Sequence, residues 1–307
     1  MKNNWNWVKI SEHSSLTEGP VWTGKGLLFN ECSTSTTYYW DAETGKSQIW
    51  RLNTGQSNGM VFDRNGTLYV CEGLNHRVVK VDSHSPDKEP VVISNNDDGQ
   101  QFNMPNDIAV DVSGRIYFSD PNYSDLPNNR KNESVYLIEP SFGGNHQTHQ
   151  VTFDTNKPNG VLLSIDQKFL YVAESPQDPK LRRELRAYPI LSNGTLDDYQ
   201  VLHDFGQGRG IDGMTLTTTG TIIATAGSLT DSDYGTGFAG PGPMIYEFEH
   251  SGRVIRTHPC PSDSPTNCTF GGPKLETLFV TCGTGKVYKI DDTGHTGQLA
   301  FPMKSAQ

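Results

Sequence analysis

This sequence reads as an all-β protein: a six-bladed β-propeller with mostly four-stranded blades around a central channel, a single domain over residues 1–307. A repeat carries that expectation. Six segments are alike, led by Glu18, Asn58, Asn106, Asn159, Asp212 and Asn267, so consecutive leaders stand 40, 48, 53, 53 and 55 residues apart. Periods of about 40–55 residues, each with several strands, are how propeller blades look in sequence. The composition agrees: 31 Gly and 10% aromatic residues suit many strands joined by tight turns. No apolar pattern of helical period and length stands out, and Lys180–Arg186 is too short.

Each segment is an apolar run, a turn and a second apolar run. The first joins Glu18-Gly-Pro-Val-Trp22 to Gly26-Leu-Leu-Phe-Asn-Glu31, and the second joins Asn58-Gly-Met-Val-Phe62 to Gly66-Thr-Leu-Tyr-Val-Cys-Glu72. Asn106-Asp-Ile-Ala-Val110 leads to Gly114-Arg-Ile-Tyr-Phe-Ser-Asp120, and Asn159-Gly-Val-Leu-Leu163 to Phe169-Leu-Tyr-Val-Ala-Glu174. Asp212-Gly-Met-Thr-Leu216 precedes Gly220-Thr-Ile-Ile-Ala-Thr225, and Asn267-Cys-Thr-Phe-Gly271 precedes Thr277-Leu-Phe-Val-Thr281. Their apolar residues are continuous rather than alternating, as in hairpins buried on both faces. Val78–Val81, Val91–Ile93, Ser134–Ile138, Glu184–Tyr188, Met244–Phe248 and Val287–Ile290 supply further strands between segments, which completes four per blade.

Charge narrows the function. Lys plus Arg number 25 against 35 Asp plus Glu, a net charge of −10, which argues against nucleic acid or an anionic membrane surface as a partner. No stretch approaches the roughly 20 apolar residues of a membrane span, and the first twenty residues show no signal-peptide pattern, so a cytoplasmic location is expected. Cys32, Cys71, Cys260, Cys268 and Cys282 lack zinc-knuckle spacing and are expected as reduced thiols, with Cys260–Cys268 the pairing to expect on export.

The leaders carry the chemistry. Every one is a carboxylate or carboxamide, and each is expected just before the innermost strand of its blade, so a closed ring brings all six to one mouth of the channel. Asn and Asp also favour turns by bonding their own backbone. Six in register, two acidic and four amide, are better explained as a metal or polar-substrate site. Hard oxygen donors suit Ca²⁺ first, with Mg²⁺, Mn²⁺ and Zn²⁺ as alternatives.

With Pro105-Asn-Asp, Pro158-Asn-Gly, Asp212-Gly-Met and Phe270-Gly-Gly-Pro273 added to the segments above, the chain resembles the SMP-30/gluconolactonase/luciferin-regenerating-enzyme family over nearly its whole length. The resemblance implies a propeller with one divalent metal, usually calcium, that hydrolyses sugar lactones or related esters. It implies Glu18, Asn159 and Asp212 as metal ligands and Asn106 as a residue touching substrate or metal-bound water.

A lactone is a cyclic ester, and a divalent cation both polarises its carbonyl and acidifies a water. Asp212 is the candidate general base, and Asn106, with Asn58, is placed to donate amide hydrogens to the carbonyl or to sugar hydroxyls. Glu72, His76 and Asn267 complete the expected substrate contacts; the related pattern has a His directly after this Glu, whereas Gly73 follows here. Asp107 is expected to orient Asn106 or the entry loop, while His146 and His149 read as a polar loop, and the loops Asn122–Asn132 and Ser228–Pro243 as the pocket rim. No Gly-x-Ser-x-Gly motif supports a serine esterase, and the Gly-rich stretch after Asp231 lacks a P-loop context. The leading expectation is thus a gluconolactonase-like hydrolase acting on a small-molecule lactone, as a monomer or small homo-oligomer. Its rivals are a promiscuous esterase or phosphotriesterase using the same metal, and a non-catalytic scaffold with a structural channel metal.

Overall fold

The computed structural model describes residues 5–140, 146–178, 180–206, 208–229 and 242–299. Six antiparallel sheets form the blades of a propeller, and each starts with the inner strand that its leader opens. Blade 1 runs Thr17–Trp22, Gly26–Glu31, Thr36–Asp41 and Ser47–Arg51; blade 2 follows with Ser57–Phe62, Leu68–Glu72, Arg77–Val81 and Val91–Ser94. Ile108–Val110 opens blade 3, Pro158–Leu163 blade 4, Ile211–Thr217 blade 5 and Pro265–Gly271 blade 6. The segment Arg183–Pro189 is the third strand of blade 4, and Thr148–Gln150 is the outer strand of blade 3, so His149 lies in a strand rather than a loop.

Two strands depart from a simple repeat. Blade 6 contributes only three strands in sequence, and its fourth is Trp7–Glu12 from the other end of the chain, paired antiparallel with Lys286–Ile290. This closes the ring by backbone hydrogen bonds. Gly297–Gln298 returns to blade 5 and pairs with Leu216 and Thr217 of its inner strand, making that sheet five-stranded.

The core lies between blades. Six buried apolar clusters among the described residues each span one junction, for example Val21, Leu28, Met60 and Val70 between blades 1 and 2. Trp22, Phe29, Phe279 and Val287 seal blade 6 against blade 1. This is why the sequence runs are continuous: Leu27, Leu28 and Phe29 are all buried because both faces of a blade meet a neighbour. All five cysteines are free thiols buried in or beside these layers. No helix of the described residues is long and apolar enough to cross a membrane.

Candidate active site

The leaders lie within the inner strands rather than before them, except Asn106, which precedes Ile108–Val110. The ladder breaks there. Register shifts between Glu18 and Val21, Ser57 and Met60, Pro158 and Val161, Ile211 and Met214, and Pro265 and Asn267 mark an irregularity beside the leader in five blades. Such bulges re-aim a side chain out of the sheet. Five leaders, Glu18, Asn58, Asn106, Asn159 and Asp212, line one cavity of about 260 Å³ at the channel mouth. The channel continues beyond them as a larger cavity of about 410 Å³, walled mainly by apolar residues such as Trp22, Met60, Val161 and Leu216. The polar chemistry belongs to the smaller one.

Glu18 is 3% exposed and accepts the Gly19 N–H at 2.7 Å. Burial pushes its carboxyl well above the ordinary range, and the charges of Asp212 and Asp107 add to the effect against hydrogen bonds from Gly19 and Asn267. Burial also raises Asp212, opposed by the Arg209 guanidinium and by hydrogen bonds with Asn159 and Glu18. Arg209 Nη2 donates to Asp212 Oδ2, and its Nη1 donates to the Gly227 and Pro265 carbonyls at 3.1 and 3.0 Å.

This donor set fits a hard divalent cation. A buried carboxyl, Glu18, and a half-buried one, Asp212, lining one cavity are unstable as a pair of anions unless positive charge lies between them. Asn58 Oδ1 is buried with no hydrogen-bond partner, so an acceptor oxygen at the same cavity is unsatisfied. The donors on offer are oxygens, two carboxyls and the carboxamides of Asn58, Asn106 and Asn159. Among the described residues no group of three or more His, Cys, Asp or Glu side chains forms a metal-binding cluster, so carboxamides would have to complete the set. Glu18, Asp212 and Asn159 are the residues that would hold such an ion.

Three expected contacts have other partners. Glu72 is fully buried; Arg51 Nη2 and Arg77 Nε donate to its two oxygens at 2.7 Å each, and Asn75 joins them. His76 has a left-handed backbone, φ 51°, and its Nδ1 meets the Asn103 carbonyl. Neither lines the small cavity, although Gly73 does. Asn267 lines the larger cavity with Asp107, and its Oδ1 accepts the Cys268 N–H at 2.8 Å. Asp107 does not orient Asn106: its Oδ2 accepts the Val161 N–H of blade 4 at 3.0 Å, and burial pushes its carboxyl up to about 7. Instead Asn106 is held by its backbone, with N donating to Ser119 O at 2.9 Å and O accepting from Gly59 N at 2.7 Å. Of the rim loops, residues 122–132 supply Tyr123; of the loop Ser228–Pro243, residues 230–241 lie outside the described residues.

Gln56, Ser175, Gln177 and Arg209 also line the cavity and were not among the expected residues, whereas Tyr123 comes from a loop expected at the rim. Arg209 had a readable signal, since it stands three residues before Asp212. The others lie on connections whose inward turn no repeat announces.

A six-bladed propeller with a ring of acids and carboxamides at one mouth of its channel defines a recognisable class. The chain matches the SMP-30/Gluconolactonase/LRE-like region over residues 16–284 and belongs to that family. It is 28% identical over 294 residues to a gluconolactonase of Zymomonas mobilis, spanning 89% of this chain and 77% of that one. Its fold is that of XC5397, a gluconolactonase from Xanthomonas campestris, with a TM-score of 0.77, 22% identity, and 94% and 90% of the two chains covered. The calcium-binding protein regucalcin of Agrobacterium tumefaciens shares the fold with a TM-score of 0.75 at 14% identity, over 97% of this chain and 96% of that one.

Proposed function

We propose that this protein is a lactonase that opens a sugar lactone to its hydroxy acid with the help of one divalent cation, Ca²⁺ by its oxygen ligands. One observation carries the reading: the carboxyls of Glu18, buried, and Asp212, half-buried, come from far apart in sequence to one cavity that Asn58, Asn106 and Asn159 also line. The lactonase relative and the calcium-binding neighbour support it. At about 260 Å³ the cavity suits a sugar-sized molecule better than a drug-sized one, whose pockets run to roughly 300–1,000 Å³.

When bound, the cation polarises the lactone carbonyl and lowers the pKa of water. The residues supply the rest. Glu18 and Asp212 balance its charge, and Asn159 adds a neutral oxygen. The Asp212 carboxylate accepts a proton from the attacking water as the new C–O bond forms. Asn106 and Asn58 donate amide hydrogens to the carbonyl oxygen, which gains charge in the transition state, or to ring hydroxyls. The ester C–O bond then breaks, and the leaving alkoxide takes up the proton.

Proton release from a panel of aldonolactones tests this. Asp212→Asn is expected to lower kcat by about 10²-fold or more, and EDTA should abolish wild-type turnover until Ca²⁺ is restored. Turnover indifferent to both treatments would overturn the proposal.

A further inference from the structure

We propose that Tyr123 is a positioning residue whose hydroxyl sets which way the Asn159 carboxamide faces, so that the amide oxygen is presented to the cation. This rests on the reading of the site given above. An Asn side chain has two N–H donors and one carbonyl oxygen. Asn159 donates one N–H to Tyr123 Oη at 2.8 Å, and it shares the cavity with the Asp212 carboxylate, which can only accept. With the NH₂ group turned to the hydroxyl, Oδ1 is the atom left for an incoming ligand. A phenol donates as well as accepts, so the acceptor-only Asp212 carboxylate favours the NH₂ face and the hydroxyl holds the carboxamide in that pose. Without this anchor the carboxamide turns more freely, and a flipped NH₂ group cannot ligate a cation.

The hydroxyl is held for this task. Lys157 Nζ donates to Asn122 O at 2.5 Å and to Glu133 Oε2 at 2.9 Å, and lies 4.8 Å from the centroid of the Tyr123 ring. Glu133 Oε2 also accepts the Asn122 N–H at 2.9 Å. The Lys157 and Glu133 side chains are only 9% and 11% exposed, so the ion pair is well shielded. Lys157 stands two residues before Asn159, so the blade 3 loop is fastened to the segment whose amide it orients.

Calcium titration calorimetry on the full chain tests the proposal, because it reads ion affinity without turnover. Tyr123→Phe keeps the ring and is expected to weaken the Ca²⁺ Kd by about five- to ten-fold, with an unchanged thermal midpoint. In an Asn159→Asp background the two side-chain oxygens are equivalent, so the same substitution is expected to change Kd by less than about two-fold. A Tyr123→Phe protein that binds Ca²⁺ as tightly as wild type overturns the proposal, and so does an equal loss in both backgrounds, which would mark a merely structural effect. A wild type that takes up no divalent ion overturns the reading of the site, and this inference with it.

Discussion

Glu18 and Glu72 are both buried glutamates in the repeat, and their different roles show what a residue's neighbours decide. Glu18 leads a segment; Glu72 ends the second strand of one. Acids at that second position recur as Glu31, Asp120 and Glu174, and each receives donors from the connection that enters its own blade. Glu31 Oε1 accepts the Ser14 and Ser15 N–H groups, Asp120 Oδ2 that of Asn103, and Glu174 Oε1 those of Asn156 and Lys157. At Glu72 the donor from that side is Arg51, at the end of blade 1's outer strand, with Arg77 and Asn75 from its own blade. These acids brace the backbone on which the leaders stand. The sequence shows them at regular places but not their partners, which is why Glu72 reads as a substrate contact there. Glu72→Gln leaves the buried Arg51 without its counter-charge and is expected to destabilise the protein by about 3–5 kcal/mol. Chemical denaturation would reveal this as a lower midpoint, while Ca²⁺ affinity of the folded fraction is expected to change little.

At the scale of a strand, the glycine after the leader matters as much as the leader. A Cβ on Gly19 would sit 1.9 Å from Asn58 O, one on Gly59 2.7 Å from Asn106 O, and one on Gly160 2.4 Å from Asp212 O. On Gly213 it would meet the Asn267 side chain at 2.1 Å. Each such glycine lets its inner strand touch the next blade's leader, which brings donors from separate blades within reach of one ligand. The repeat therefore displays both the ring and the leaders that face its channel, and the fold and the five cavity leaders are legible from it. What it hides is carried by the connections: Tyr123, Gln177 and Arg209 follow no period, and the roles of Asp107 and Asn267 depend on contacts between blades. Gly160→Ala is expected to lower the thermal midpoint by several degrees and to weaken Ca²⁺ binding, because it pushes Asn159 away from Asp212. Gly73→Ala, whose Cβ would meet nothing nearer than 3.5 Å, should melt like the wild type in the same scan.

Over the whole molecule, a closed ring must join its two ends, and here the ends meet the rest of the fold around one buried acid. Glu247, on the third strand of blade 5, is 1% exposed. His258 Nε2 lies 2.7 Å from its Oε1, and His295, just before the returning strand Gly297–Gln298, places Nε2 3.3 Å from its Oε2. Trp5, from the other end of the chain, stacks on the His258 ring with centroids 3.6 Å apart. Burial alone would raise the Glu247 carboxyl, but the hydrogen bond with His258 and the charges of the two histidines outweigh it and hold it down at about 2. A carboxyl depressed on folding stabilises the native state above its unfolded pKa, near 4.5, and that contribution is lost as pH falls toward the folded value. The loss is on the order of 3 kcal/mol, and it falls where both ends of the chain are fastened. Unfolding midpoints measured from pH 6 down to pH 2 are thus expected to drop most steeply below about pH 4.5. Glu247→Gln should lower the midpoint at neutral pH and flatten this part of the profile; an acid slope as steep in the variant as in wild type would place the acid sensitivity elsewhere in the ring.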